Sequence, residues 1–216
     1  MRPAQQLADL SYAAALRRHG GDLAADGEYE AAHFDRLTLD RPDAPRAIFL
    51  ECAFTGVTVQ GGSLRRARFG DVWLQDTRLM GTDLAETGWT DAGFADVVAA
   101  GVEAYGSALR RASFRGCKLD SVNFRGARLT DVRFEHCLLR EVDFSDATLT
   151  RTVFTQSQLR QVNFTKAGLD RTDLRGCELD IVAGPDSLRG AIIDAGQLAG
   201  IARALAEGLG IVVTDD

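Results

Sequence analysis

Residues 112–131 read ASFRG CKLDS VNFRG ARLTD, four blocks of five with Phe114, Leu119, Phe124 and Leu129 at their centres. The first residue of each block is small: Ala112, Cys117, Val122 and Ala127. This phase runs far in both directions. Thirty central positions lie between Phe34 and Leu179; all eleven Phe of the chain occupy this register, and fourteen more positions are Leu. Only Ala44, Val59, Trp89, Ala99 and Ala104 depart. Two residues before each centre, 28 of 30 positions are Ala, Cys, Val, Thr, Ser or Gly, with Leu37 and Pro42 the exceptions. The other three registers are mostly polar, charged or Gly.

A period of five fits neither common element. At about 100° per residue, a helix would step successive centres by about 140° and scatter them around its circumference. A flat strand would send alternate centres to opposite faces. The chain must instead turn a corner every pentad, as in a solenoid whose coils bury one continuous axis. From Leu109 to Leu169 the centres alternate strictly between Leu and Phe. In a square coil of twenty residues this stacks Phe on Phe and Leu on Leu, which packs more evenly than the mixed columns of a triangular coil. The expected fold is therefore an all-β solenoid of about seven square coils, rising roughly 4.8 Å per layer.

The 216 residues, 45% hydrophobic and 26% charged, are those of an ordinary globular chain. No apolar run approaches the roughly 18 residues of a membrane span. Residues 1–20 lack the pattern of a secretory signal, so the expected compartment is the cytoplasm. A net charge of −6 argues against general nucleic-acid binding.

The blocks 112–116 (ASFRG), 122–126 (VNFRG) and 172–176 (TDLRG) resemble the pentapeptide-repeat family. That resemblance covers about residues 31–182 and implies a right-handed quadrilateral β-helix. Residues 1–30 are expected to form a partly helical cap, with Leu7, Leu10 and Ala14 at helical spacing over 5–18. Residues 183–216 form a third unit. There Asp194 can cap a helix carrying Leu198, Ile201, Ala202 and Leu205 on one stripe, and 211–214 (IVVT) reads as a short strand. This tail is similar to the C-terminal dimerisation module of the Qnr, MfpA and AlbG type of gyrase-protecting protein. The resemblance implies a homodimer joined through Leu198, Ile201, Leu205, Ile211 and Val213. It further implies binding to DNA gyrase or another type II topoisomerase, protection from inhibitors, and partial DNA mimicry. A tail that only seals the last coil, and a scaffold binding another protein through a flat face, are the alternatives.

Two stretches read as breaks. Residues 41–45 (RPDAP) carry two prolines and suggest an irregular first coil. Between 97 and 107 the centres shrink to Ala99 and Ala104, so Val97, Gly101, Glu103, Tyr105 and Gly106 form either a functional loop or a thin regular coil.

Charge supplies the candidate partner surface. Asp71, Asp76, Asp83, Glu86, Asp91 and Asp96 face a single cation, Arg78, over residues 70–96, a local charge of −5. All but Asp83 share one outward register. Such a set either faces water or meets a cationic partner. Residues 107–180 carry instead a local +3, which weakens mimicry of DNA along the whole rod. Cys52, Cys117, Cys137 and Cys177 all fall in the small inward register and read as free core thiols. His19, His33 and His136 are scattered, and no metal-ligand spacing or phosphate-binding loop occurs. No catalytic residue, cofactor or metal is expected, and no enzyme activity.

Overall fold

A computed structural model describes residues 6–183, 188–208 and 210–214. The period of five is a corner period. Every fifth residue from Asp26 to Gly176 has a left-handed backbone, with φ between +43° and +73°. Of these 31 corners 23 are not glycine. An L residue loses roughly 1 kcal/mol or more in that conformation. Hydrogen bonding offsets it: from Asp26 to Arg151 the corner N–H reaches the carbonyl nineteen residues on, as Asp71 does to Thr90 at 3.0 Å, and the Gly176 N–H reaches Asp194 Oδ2 at 3.1 Å. The residue two beyond the corner bonds backwards, as Trp73 N–H does to the Cys52 carbonyl at 2.9 Å. Each pentad is thus tied to the turn above and to the turn below.

Four corners make a turn of twenty residues, and about eight turns stack as a parallel β-solenoid. The first face is a ten-stranded parallel sheet running from Arg17–Arg18 to Ala191–Ile192, with Phe34, Phe54, Leu74, Phe94, Phe114, Phe134, Phe154 and Leu174 as centres. The second, centred on the column Leu39 to Leu179, and the fourth, centred on Tyr29 to Leu169, have eight strands each. The third face is held by single bridges that link Asp43, Ser63, Asp83, Glu103, Asn123, Asp143 and Asn163 in one column. The wall thus extends beyond 31–182 at both ends, because Tyr29 already stacks on Phe49 at 4.9 Å.

The expected like-on-like stacking is present. Phe134 lies 4.7 Å from both Phe114 and Phe154 on the first face, and Phe124, Phe144 and Phe164 stack on the opposite one. In the N-terminal half the second aromatic column runs on the fourth face instead, through Tyr29, Phe49, Phe69 and Trp89. Ala99 and Ala104 fall where that column changes face, and the Trp89 indole, 5.3 Å from the Phe94 ring, offsets their lost bulk. Along the axis, a cavity of about 30 Å³ lies among Phe49, Phe69, Leu84 and Trp89, room for one water.

The small register has a second duty. Most of its hydroxyls and thiols donate to the carbonyl 23 residues earlier, as Thr77 to Phe54 at 3.2 Å, Cys177 to Phe154 at 3.2 Å and Thr172 to Leu149 at 3.1 Å, whereas Thr87 bonds Leu84 and the hydroxyls of Thr82 and Thr152 are buried without a partner. This is why Cys, Ser and Thr share the register with Ala and Val. All four cysteines are free and buried. Burial holds the Cys52 thiol up at about 11, and the neighbouring Cys137 with burial raises that of Cys117.

Four expectations are resolved or corrected. Residues 97–107 form a regular coil, with Val98–Ala100 paired on both sides and Glu103 in the third-face column. Residues 41–45 do not break the wall. The ladder uses the Pro42 carbonyl, bonded by Ser63 N–H at 2.7 Å, and leaves the nitrogens of both prolines unused. Gly62 fits beneath, since a Cβ there would lie 2.4 Å from the Pro42 carbonyl oxygen. Residues 5–18 do not make one helix: Leu7–Asp9 and Ala13–Ala15 are separate 3-10 turns, a shape that lets Leu7, Leu10, Tyr12 and Leu16 all reach the wall. Residues 211–214 are not a strand, because no sheet edge within the chain pairs with them.

Both ends are sealed. The His19 ring meets Tyr29 edge-on at 5.2 Å and Phe34 at a tilt at 4.8 Å, with Leu23 packed beside them. The C-terminal helix spans Ala195–Gly208. Asp194 Oδ1 accepts the Gln197 N–H and Gln197 Oε1 accepts the Asp194 N–H, each at 2.9 Å, a reciprocal cap. Gln197 Nε2 then donates to the carbonyls of Leu174 and Cys177 at 2.6 and 2.9 Å, tying the helix start to the last turn.

Phe134, fully buried between two stacked rings, is the direct test of the ladder. Phe134→Ala is expected to lose about 3–5 kcal/mol of unfolding free energy in a urea titration. A loss under about 1 kcal/mol would mean that the column does not hold the wall.

Candidate partner-binding surface

The left-handed corner favours short polar residues, and the acidic register is that corner. Asp71, Asp76, Glu86, Asp91 and Asp96 are all corner residues, and four of the five border the first face. Asp71 and Asp91 stack at the corner before the first face, Asp76 and Asp96 at the corner after it. Glu86 occupies a third corner, and Asp83 lies in the third-face column.

Half of the set is neutralised. Glu86 accepts from Arg65 at 2.7 Å and Arg66 at 2.8 Å; the two guanidiniums, Arg66 first, hold its carboxyl below the usual range. Arg111 pairs with Asp91 one turn away and lowers that carboxyl likewise. Asp83 accepts the Ala85 N–H at 2.9 Å and the Ser63 hydroxyl at 3.3 Å, and lies 3.8 Å from Arg65. Asp71 is the opposite case: burial first, then the neighbouring Asp91, raise its pKa. Among the described residues, Asp71, Asp76 and Asp96 have no salt bridge to a basic side chain. Asp96 leans over Gly116, where a Cβ would lie 2.5 Å from its Oδ1.

Pairing between equivalent corners or outward sites twenty residues apart recurs along the rod, in Asp26–Arg46, Asp120–Arg140 and Asp131–Arg151. It leaves the C-terminal half a mosaic of both signs. The residues of the open loop alternative are spread over the coil wall: Val97 is buried in the small inward register, Glu103 lies in the third-face column, Gly101 and Gly106 are corners, and the Tyr105 ring meets Arg65 at 5.1 Å. Among the described residues no group of three His, Cys, Asp or Glu is arranged for a metal ion, and no helix is long and apolar enough to cross a membrane.

At the C-terminal end the structure separates the dimerisation candidates. Ile201 is 8% exposed and packs within its own chain, whereas Leu198 is 49%, Ile211 54% and Val213 37% exposed. Leu205 is half-buried. Val212, at 85%, belongs with the exposed set. One surface escaped the sequence reading: Ala53, Trp73 and Ala95 lie on the outside of the first face, covered by Leu7, Leu10 and Leu16. Its signal was a tryptophan, Trp73, in a mostly polar outward register.

A parallel solenoid that turns a corner every five residues, with paired small and large inward registers, is a pentapeptide-repeat β-helix. The family model for the pentapeptide repeat region matches residues 47–124 and 107–183, and the chain belongs to that family. No curated protein matches it significantly. Among solved structures, a trypsin-treated variant of QnrB1, described as a plasmid-mediated fluoroquinolone resistance protein, is similar at 18% identity and a TM-score of 0.40, over 91% of this chain and 96% of its own. HetL, a pentapeptide repeat protein involved in heterocyst differentiation regulation in the cyanobacterium Nostoc, gives 16%, 0.26, 82% and 93% in the same order. A pentapeptide repeat protein of the Arabidopsis thaliana thylakoid lumen gives 21%, 0.29, 56% and 74%.

The Asp91–Arg111 pair gives a pH test. A carboxyl lowered in the folded state adds stability above its unfolded pKa of about 3.9 and loses it as pH falls through the folded value. Arg111→Met is therefore expected to unfold at lower urea than the parent at pH 7, with the gap narrowing below about pH 4. A gap of constant size at pH 7 and pH 3 would contradict the pairing.

Proposed function

We propose that this chain is a non-enzymatic, cytoplasmic protein-binding solenoid that docks on DNA gyrase or another type II topoisomerase and protects it from an inhibitor. The observation that carries the reading is the stacked corner pair Asp76 and Asp96, which lacks a basic partner among the described residues. It stands on a wall whose axis is filled with side chains. Such a rod offers a partner only its outside, and an unneutralised acidic edge is complementary to a basic groove built for DNA. The mosaic over residues 107–180 makes the acidic half the contacting arm. The exposed Leu198, Ile211, Val212 and Val213 support a homodimer joined at the C-terminal ends, because apolar side chains clustered at one end of a rod favour burial against a second copy.

A second reading keeps the same surface for another protein, with the solenoid as a scaffold. The ion-paired mosaic favours it, since neutralised columns suit a flat mixed interface rather than a DNA-binding cleft.

The experiment is gyrase supercoiling with and without a fluoroquinolone or albicidin, at near-equimolar purified protein. Rescue that is lost in Asp76→Lys/Asp96→Lys is expected. Neither rescue nor inhibition would contradict the topoisomerase reading and leave the scaffold. In parallel, Leu198→Ser/Val212→Ser is expected to halve the mass seen by light scattering; a monomeric parent chain would refute the dimer.

A further inference from the structure

The outer side of the first face between residues 53 and 95 is unlike the rest of the wall. Ala53, Trp73 and Ala95 occupy outward registers, yet are 0%, 3% and 2% exposed. The Trp73 ring lies over Gly93, whose Cβ, if present, would sit 2.4 Å from Cε3. The cover is the chain's own segment 6–16, through Leu7, Leu10 and Leu16, with Tyr12 only 7% exposed.

Among the described residues, this strap, segment 6–16, has no backbone bond to the wall and is held to it by side chains. Its backbone bonds close on itself: Asp9 N–H to Gln6, Leu10 to Leu7, Ala13 to Leu10, Ala15 to Tyr12. The first backbone bond to the wall is Arg17 N–H to the Ala31 carbonyl at 2.8 Å. The fit is also imperfect. The Tyr12 hydroxyl is buried without a hydrogen-bond partner, a cost that a better occupant would avoid.

The groove's two edges are the corner columns Asp71–Asp91 and Asp76–Asp96. Segment 6–16 brings no cation to them; its one charge is Asp9. The strap therefore matches the groove in its apolar residues and opposes it in charge.

We infer that this groove is a docking site for an amphipathic segment of a protein partner that carries Lys or Arg beside its apolar residues, and that the strap is its displaceable occupant. The inference rests on the reading of the chain as a protein-binding module. It names the surface and the chemistry of what binds there.

Two measurements test it. In the full chain, hydrogen exchange at the amides of Leu10, Ala13 and Ala15 is expected to run at least about tenfold faster than at Trp73 and Gly93. In a Trp89→Phe chain, where Trp73 is the single tryptophan reporter, a synthetic peptide of residues 6–18 is compared with the same peptide carrying Asp9→Lys and Ser11→Lys. The lysine peptide is expected to bind about tenfold more tightly at low salt. Asp71→Asn/Asp76→Asn/Asp96→Asn in the chain should erase that difference, and Leu7→Ser/Leu10→Ser should strengthen binding of both peptides. Strap amides as protected as Trp73, equal affinity for the two peptides, or no binding would overturn the inference. Peptide binding without gyrase protection leaves it standing and removes the topoisomerase reading; gyrase protection without peptide binding does the reverse.

Discussion

Stacking of like on like at an interval of twenty residues is the constraint from which the other features follow. A phenylalanine sits on a phenylalanine only if every turn contains four pentads, and four pentads close only if each ends in a left-handed residue. The corner costs backbone energy that an isolated chain would not accept. The two inter-turn hydrogen bonds of each pentad and the buried axis supply the return. No pentad is stable alone, which is the general condition of solenoids.

The same constraint organises the surface. Because corners repeat every five residues, charged residues placed there fall into vertical columns one layer apart. Opposite charges then pair between turns, as Asp91 does with Arg111 and Asp131 with Arg151. A run of acidic residues in sequence thus becomes two stacked columns beside the first face, with Glu86 on another corner. The columns leave Asp71, Asp76 and Asp96 without a basic partner among the described residues, and these flank the apolar patch around Trp73. Charge and apolar surface coincide on the first face, which is why the proposed docking surface is placed there.

Most of the wall was legible because inward residues report their register directly: two coupled periodicities specify both the corner and the number of sides. The prolines at 42 and 45 misled because a proline objects to a ladder only where its nitrogen would donate, and these two positions carry no such bond. Ala99 and Ala104 read as a loop or a coil because the compensating bulk of Trp89 comes from another face. The strap was hidden for a different reason. Its contacts join residues 7–16 to 53–95 across an outward surface, where no period constrains sequence, and only Trp73 marked the place. The exposed tail at 211–214 has strand composition without a partner edge in its own chain, so pattern alone could not decide its conformation.

The central claim is that register between turns, more than pentad content, specifies the fold. Removing residues 131–150 deletes one full turn and sets Phe114 on Phe154, Leu119 on Leu159 and Phe124 on Phe164. Removing 131–145 deletes three pentads and sets Phe114 on Leu149 and Leu119 on Phe154. The measurement is cooperative urea unfolding of both deletions side by side. The full-turn deletion should unfold in one sharp transition near the parent, and the three-pentad deletion should be less stable by at least about 3 kcal/mol, the scale of one disrupted core site. Equal stability of the two would show that any stack of pentads suffices and would contradict the claim.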